Sequence, residues 1–307
     1  MGKIKFIIFA LIFGFISMHA HGKRNTSAYE LYSKGVELAG KKKYNESIEK
    51  LEKAIELNPT YLGSYLEIAR SMVMLGKRTM AMERLDVAAK NIKRSEDRKK
   101  LSQERALLSE LFYTNNTFQL YQNGLNFLLM ERNAAAAESL EKALNVEPDN
   151  VAILLAYARS LMDDNIKTSI KFLEKAFLLN PEKKEVRLIL AELNLKNKPE
   201  RSLELLRPSV LGKNASEPEV LVYVQALSLL EKNKQAIDIL QEKMLGNMDW
   251  VESNFWLGKF YAQEAQGNWM ARKYLMTFLK RTNAKNTHKG LKDQAESLLL
   301  RVNQALQ

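Results

Sequence analysis

Three histidines, the acid pair Asp163-Asp164 and a complete absence of cysteine set what chemistry this chain could perform. Without cysteine there is no disulfide, no thiolate metal site, no cysteine nucleophile and no lipidated N-terminal cysteine. His19 and His21 follow an N-terminal apolar run, so His288 is the one imidazole in the rest of the chain. A Ser-His-Asp arrangement would have to use His288, and no nucleophile-elbow pattern accompanies it. Histidine pairs at helical spacing, HExxH, a calcium loop, a Walker loop and GxGxxG are all missing. Asp163-Asp164 has no further carboxylates at ligand spacing and reads as two loop acids. Catalysis by carboxylates alone would need a pair set apart by the fold, and the pattern selects none. These residues imply a protein that is not an enzyme, with no catalytic residue, metal site or cofactor.

Charge bears on partners rather than on fold. Lys and Arg number 47 against 36 Asp and Glu, a formal net charge of +11. The segment Lys93–Arg105 concentrates six basic and three acidic residues and reads as a solvated helix face. Lys41–Lys43 read as residues that keep a turn solvated. Aromatic residues do not interleave with the basic ones in the manner of RNA-binding modules, so nucleic acid is not an expected partner. Anionic lipid, envelope polysaccharide or acidic protein surfaces suit the charge better.

The elements that must position any site are helices. The 307 residues are 46% hydrophobic and 27% charged, which suffices for a sizeable core. With 13 Gly and 6 Pro, a fold of many short strands and tight turns lacks its turn residues. The first stretch reads as an address: Lys3 and Lys5 precede a 13-residue apolar run, Phe6–Met18, too short to span a bilayer as a helix. That is the pattern of a secretory signal peptide over 1–22, with cleavage after Ala20 or Gly22. Export to a periplasmic compartment follows; the alternative is an uncleaved anchor that leaves the protein facing the periplasm. Loss of residues 1–22 removes Lys3 and Lys5 and leaves 45 basic against 36 acidic residues, +9.

From residue 28 the sequence repeats itself. Leu31-x3-Gly35-x2-Leu38, then Ser47-x3-Leu51-x2-Ala54-x4-Pro59, recurs as Leu120-x3-Gly124-x2-Phe127, then Ala136-x3-Leu140-x2-Ala143-x4-Pro148. A third copy closes on Ser169, Leu173, Ala176 and Pro181. The small marker residue advances from Gly35 to Ala69 by 34, and from Gly124 through Ala158, Ala191 and Ala226 to Gly258 by 34, 33, 35 and 32. Ala69 to Gly124 is 55, which leaves room for one added helix near Ser95–Phe112. Small residues let two helices approach closely, while Leu31, Leu38, Leu51 and Ile55 fill the seam at helical spacing. Asn58, Glu147 and Asn180 each precede Pro and should end a helix.

This pattern resembles the tetratricopeptide repeat family, whose unit is a 34-residue helix–turn–helix. The resemblance covers about residues 28–280. It implies an all-α solenoid, stacked as a superhelix, over 23–307. Units are expected near 28–61, 62–94, 117–150, 151–182, 184–216, 219–249 and 251–284, with an extra helix at 95–113. Leu291, Ala295, Leu298 and Val302 form one apolar stripe, as suits a capping helix at 289–306.

In such proteins the first helices of successive units line a concave groove that binds peptides or proteins. Residues three before each marker are Tyr32, Leu66, Tyr121, Leu155, Leu188, Tyr223 and Phe255. Those one after it are Val36, Arg70, Leu125, Arg159, Glu192, Leu227 and Lys259. The subfamily that clamps acidic chaperone C-termini has Lys and Asn at these two positions. Tyr32 with Val36, and Tyr121 with Leu125, depart from that pair. An aromatic and aliphatic floor with scattered cations suits a partner segment that buries apolar side chains and carries acidic groups. The expectation is a protein-interaction scaffold or assembly factor of the bacterial envelope. The alternative is an envelope protein that binds anionic lipid or polysaccharide through its basic surface.

Overall fold

The computed structural model describes residues 23–212, 214–245, 250–282 and 288–307, with side chains from Ser27 onward. The expected signal segment, 1–22, lies outside the described residues. Among them the chain is all helix: sixteen helices and no strand.

The chain divides into two compact units with the boundary between Leu101 and Ser102, where the sequence reading expects one domain over 23–307. The boundary falls inside the added helix, which has no marker residue and forms no close hairpin with a neighbour. The first unit holds α1 (Lys23–Gly40), α2 (Tyr44–Leu57), α3 (Leu62–Met74), α4 (Arg78–Asn91) and the start of α5 (Ser95–Glu110). Each of α1 to α3 packs on the next, and α1 also lies beside α3. The second unit holds the rest of α5, then α6 (Asn115–Leu129), α7 (Asn133–Val146), α8 (Val151–Ser160), α9 (Ile166–Leu179), α10 (Lys184–Asn194) and α11 (Pro199–Val210). It continues with α12 (Glu217–Leu229), α13 (Asn233–Met244), α14 (Glu252–Tyr261), α15 (Asn268–Thr282) and α16 (Lys289–Gln304).

Three local devices recur among the hairpins. The first is close approach. A Cβ on Gly35 would stand 2.5 Å from Leu51 Cγ, one on Gly124 2.5 Å from Leu140 Cγ, and one on Gly258 2.7 Å from Leu275 Cγ. No side chain fits between these helices, which is why the marker is glycine there. The second is a buried hydroxyl. Ser47 donates to the Gly35 carbonyl at 2.8 Å, Ser169 to that of Ala158 at 2.7 Å and Ser202 to that of Ala191 at 2.6 Å. The marker thus supplies both the contact and the acceptor.

The third device is the turn. Lys42, Glu131 and Glu231 take left-handed backbone at φ 59°, 57° and 59°, where the second hairpin has Gly76 at 74°. Behind each, the next amide reaches back five residues: Lys43 to Leu38, Lys77 to Met72, Arg132 to Phe127 and Lys232 to Leu227, all at 2.9 Å. This is a Schellman closure, which satisfies helix carbonyls that would otherwise lack a donor. Asn58, Glu147 and Asn180 stop α2, α7 and α9 in non-helical backbone before their prolines.

Helix α5 departs from its expected character. Leu101, Glu104, Arg105, Leu108 and Ser109 are buried, so its second half is not a solvated face. Arg105 donates to the Leu179 carbonyl at 2.9 Å, Asn180 to Ser109 Oγ at 3.1 Å, and Lys183 pairs with Glu110 at 2.6 Å. Asn150 donates to the Leu111 carbonyl at 3.3 Å, and the Tyr113 amide to Glu147 at 2.7 Å. The end of α5 and the segment after it are therefore tied to the α7–α8 and α9–α10 turns by polar side chains.

Candidate functional site

First helices lie side by side within each unit: α1 by α3, α6 by α8, α10 by α12, α12 by α14, and α14 by α16. The residues expected on their shared face fall into three groups.

In the first unit, Tyr32, Val36, Leu66 and Arg70 are half-buried. The Tyr32 ring meets Tyr61 edge-on at 4.9 Å and Tyr29 at 6.2 Å. Burial pushes the Tyr32 hydroxyl well above its ordinary range, helped by Tyr61 and Glu67 and opposed by Arg70. Arg70 pairs with Glu67 one turn back.

In the second unit, Tyr121 and Leu125 are half-buried and Arg159 is exposed. Tyr121 packs at 5.1 Å on Phe112, which also meets Phe118 at 5.3 Å. Its hydroxyl is raised by burial first, then by Glu110 and Glu185, with Arg159 acting the other way. Arg159 and Glu185 pair at 2.5 Å and join α8 to α10. Tyr121, Arg159 and Glu185 thus form one polar–aromatic neighbourhood drawn from three first helices.

Of the remaining positions, Leu188 and Lys259 are half-buried, Glu192 is exposed and four are interior. Leu155, Tyr223 and Leu227 are buried, at 5%, 5% and 3% exposure, and Phe255 is at 1%. They are core residues, not free groove floor. For α12 the reason is its composition: Val220, Leu221, Val222, Val224 and Ala226 are buried as well, so the helix is covered on nearly every side. Phe255 sits in a cluster with Leu275, Phe278 and Ala295, closed over by Leu291 and Leu298 of α16.

Where α16 leans on α14, an open cleft of about 560 Å³ remains. The expected residues Phe255 and Lys259 line it, together with Gln263, Asp293, Gln294, Ser297, Leu298 and Arg301. Lys259 lies over the Trp256 ring, 4.7 Å from its centroid. Among the described residues, Lys259, Asp293 and Arg301 form no ion pair. The α16 contribution is absent from the sequence reading, which treats that helix as a solvated end. A signal existed: Asp293, Ser297 and Arg301 recur every four residues and so share one helix face.

The histidine and the acid pair lie elsewhere. Asp163 and Asp164 are exposed in the α8–α9 turn, where Asn133 donates to Asp163 at 2.8 Å. His288 opens α16 in left-handed backbone, with its Nε2 2.9 Å from Glu252 Oε1. No three His, Asp or Glu side chains converge on a point among the described residues.

The tetratricopeptide repeat profile matches residues 31–61, which cover the second half of α1, all of α2 and the turn that follows. Residues 31–61 are thus similar to one tetratricopeptide repeat. Repeats of this kind generally mediate interaction or assembly between proteins. No curated protein sequence matches the chain. Among solved structures, the crystal structure of MamA protein is similar at 17% identity, over 57% of this chain and 96% of its own, with a TM-score of 0.49. A tetratricopeptide repeat protein of Parabacteroides merdae is 13% identical over 90% of this chain and 99% of its own, TM-score 0.45. A thermophilic tetratricopeptide repeat protein of Thermus thermophilus is 16% identical over 60% and 99%, TM-score 0.47.

Proposed function

We propose that this chain is an exported, non-enzymatic scaffold or assembly factor of the bacterial cell envelope. It binds a segment of a partner protein on the first-helix face of its second unit, with the α14–α16 cleft as the anchoring point. The cleft carries this reading. Lys259 and Arg301, which form no ion pair among the described residues, stand beside the half-buried Leu298, with amide and hydroxyl groups around them. Such a surface orients an acidic group while it buries an apolar neighbour. Tyr121 and the Arg159–Glu185 pair extend the same kind of surface toward the start of the unit. Among the described residues no helix is long and apolar enough to cross a membrane.

Photo-crosslinking in intact cells tests the reading. A crosslinker at Ser297 should capture a defined partner, and capture should fall with Lys259→Ala and Arg301→Ala while the melting temperature holds. A crosslinker at Glu83, exposed on the second helix α4, is the comparison. Equal capture at both positions, or capture indifferent to Lys259 and Arg301, would count against the cleft. The mass of the protein from its native compartment tests export: cleavage after Ala20 or Gly22 is expected, and a mass that includes Met1–Met18 would favour the anchor.

A further inference from the structure

The positive charge is unevenly placed. Residues 23–101 carry 18 Lys and Arg against 11 Asp and Glu, or +7, whereas residues 102–307 carry 27 against 25, or +2. Within the first unit, Lys90, Lys93, Arg94, Arg98, Lys99 and Lys100 fall within eleven residues at the end of α4 and the start of α5. All six are exposed. Glu96 and Asp97 are the acids among them, and their pairings are loose: Arg94 to Asp97 at 3.8 Å and Lys100 to Glu96 at 3.5 Å. Elsewhere in the same unit, Lys41–Glu37 and Arg84–Glu52 close to 2.5 Å.

Glu96 and Asp97 occupy the first turn of α5 and Lys90 the last turn of α4, where each suits the helix macrodipole, but the crowded cations repel one another. The helix holds because its later residues, among them Leu101, Leu108 and Ser109, are buried. Arg98 donates to the Ile92 carbonyl at 3.2 Å, but six cations against two loosely paired acids leave the run largely unneutralised. A partner of opposite charge would complete it.

The geometry also limits which partner. At about 100° per residue, Arg98, Lys99 and Lys100 point to three sides of the helix. They form neither a groove for a chain nor a nest for one small anion. No aromatic side chain lies between Lys90 and Lys100 on which a base could stack. Val87, one turn before Lys90, is an exposed apolar residue beside the charges. A broad field of phosphates that tolerates a shallow apolar contact matches this surface. We propose that the α4–α5 basic patch docks the protein on an anionic lipid surface. The patch is separate from the cleft, and this inference does not depend on the scaffold reading.

Vesicle co-sedimentation of the full chain tests it, with phosphatidylcholine alone and with equal parts phosphatidylcholine and phosphatidylglycerol. Binding is expected to the mixed vesicles only, and to be lost in about 0.5 M salt, where charges are screened within a few Å. Reversal of Lys93, Arg94, Lys99 and Lys100 to Glu should weaken it by about a hundredfold or more, given the attraction each cation supplies near an anionic surface. These four changes should leave the melting temperature equal or higher, because acids suit a helix N-terminus. The same reversal of exposed Lys167, Lys171, Lys196 and Lys234 in the second unit should change binding only a few-fold. Equal loss in both variants would assign the effect to net charge and overturn the patch. Equal binding to phosphatidylcholine alone would assign it to the apolar N-terminus and do the same. Tight binding of soluble polyphosphate without vesicle binding would make the partner a free polyanion and reject the lipid assignment.

Discussion

Gly124→Ala places one methyl group where the α6–α7 hairpin has no room. The added carbon would stand 2.5 Å from Leu140 Cγ, 2.7 Å from Cδ2 and 3.0 Å from Cδ1, against an ordinary carbon contact of about 3.5–4 Å. Leu140 is fully buried and cannot swing into solvent. The helices must therefore part by about 1 Å or Leu140 must leave its rotamer, at about 1–3 kcal/mol. Alanine returns about 1 kcal/mol through its better helix propensity. The net expectation is about 1 kcal/mol of destabilisation. Gly290→Ala is the reference, since nothing lies within 4 Å of a Cβ there. It should stabilise by up to about 1 kcal/mol. Equilibrium urea unfolding measures both. A double-mutant cycle sharpens the test: in a Leu140→Ala background the clash is gone, so Gly124→Ala should become stabilising, with a coupling of about 1–3 kcal/mol. If Gly124→Ala alone stabilises as much as Gly290→Ala, the close approach does not exist.

Other outcomes follow from the same structure. Glu131→Gly should raise stability against urea by about 1 kcal/mol, because residue 131 holds a left-handed conformation that costs any side chain energy. Tyr223→Ala should lower stability by about 3–5 kcal/mol, as a buried aromatic truncation does. Tyr121→Ala should cost less in stability and about 2 kcal/mol in affinity for the crosslinked partner; a larger loss of stability from Tyr121 than from Tyr223 would reverse the assignment of face and core. Tyr32, Tyr61 and Tyr121 are all raised, chiefly by burial. The folded state therefore holds these protons more tightly than the unfolded state, and their contribution is full below about pH 10 and declines above it. Absorbance titration should show late tyrosinate formation that Tyr32→Phe partly removes, with stability falling as pH rises past about 10; stability that rises there would contradict the sign.

The helical hairpins were legible because their causes are local. Glycine and alanine markers, seam leucines and the residues before proline act within one unit, and each appears in the sequence at its working spacing. Ser47 and Ser169 stood in the pattern as small residues, while their role, and that of Ser202, as donors to marker carbonyls needed the second helix in place. The left-handed positions at Lys42, Glu131 and Glu231 carried no glycine to announce them.

The sequence by itself determined that this chain is all helix, that it is built from repeated helix pairs, and which residues sit on first helices at equivalent positions. These are consequences of periodicity and turn chemistry, which act over a few residues. Only the tertiary structure decided which equivalent positions are surface and which are core. Tyr32 and Tyr223 occupy the same place in the repeat, yet Tyr32 is half-buried at 4.9 Å from Tyr61, and Tyr223 lies within a helix covered on nearly all sides. Burial depends on what neighbouring helices bring, and a repeat pattern holds no record of that. The same reason separates the two halves of α5. Its sequence is one charged run, but buried contacts remove the second half from solvent and leave the six cations around its start exposed.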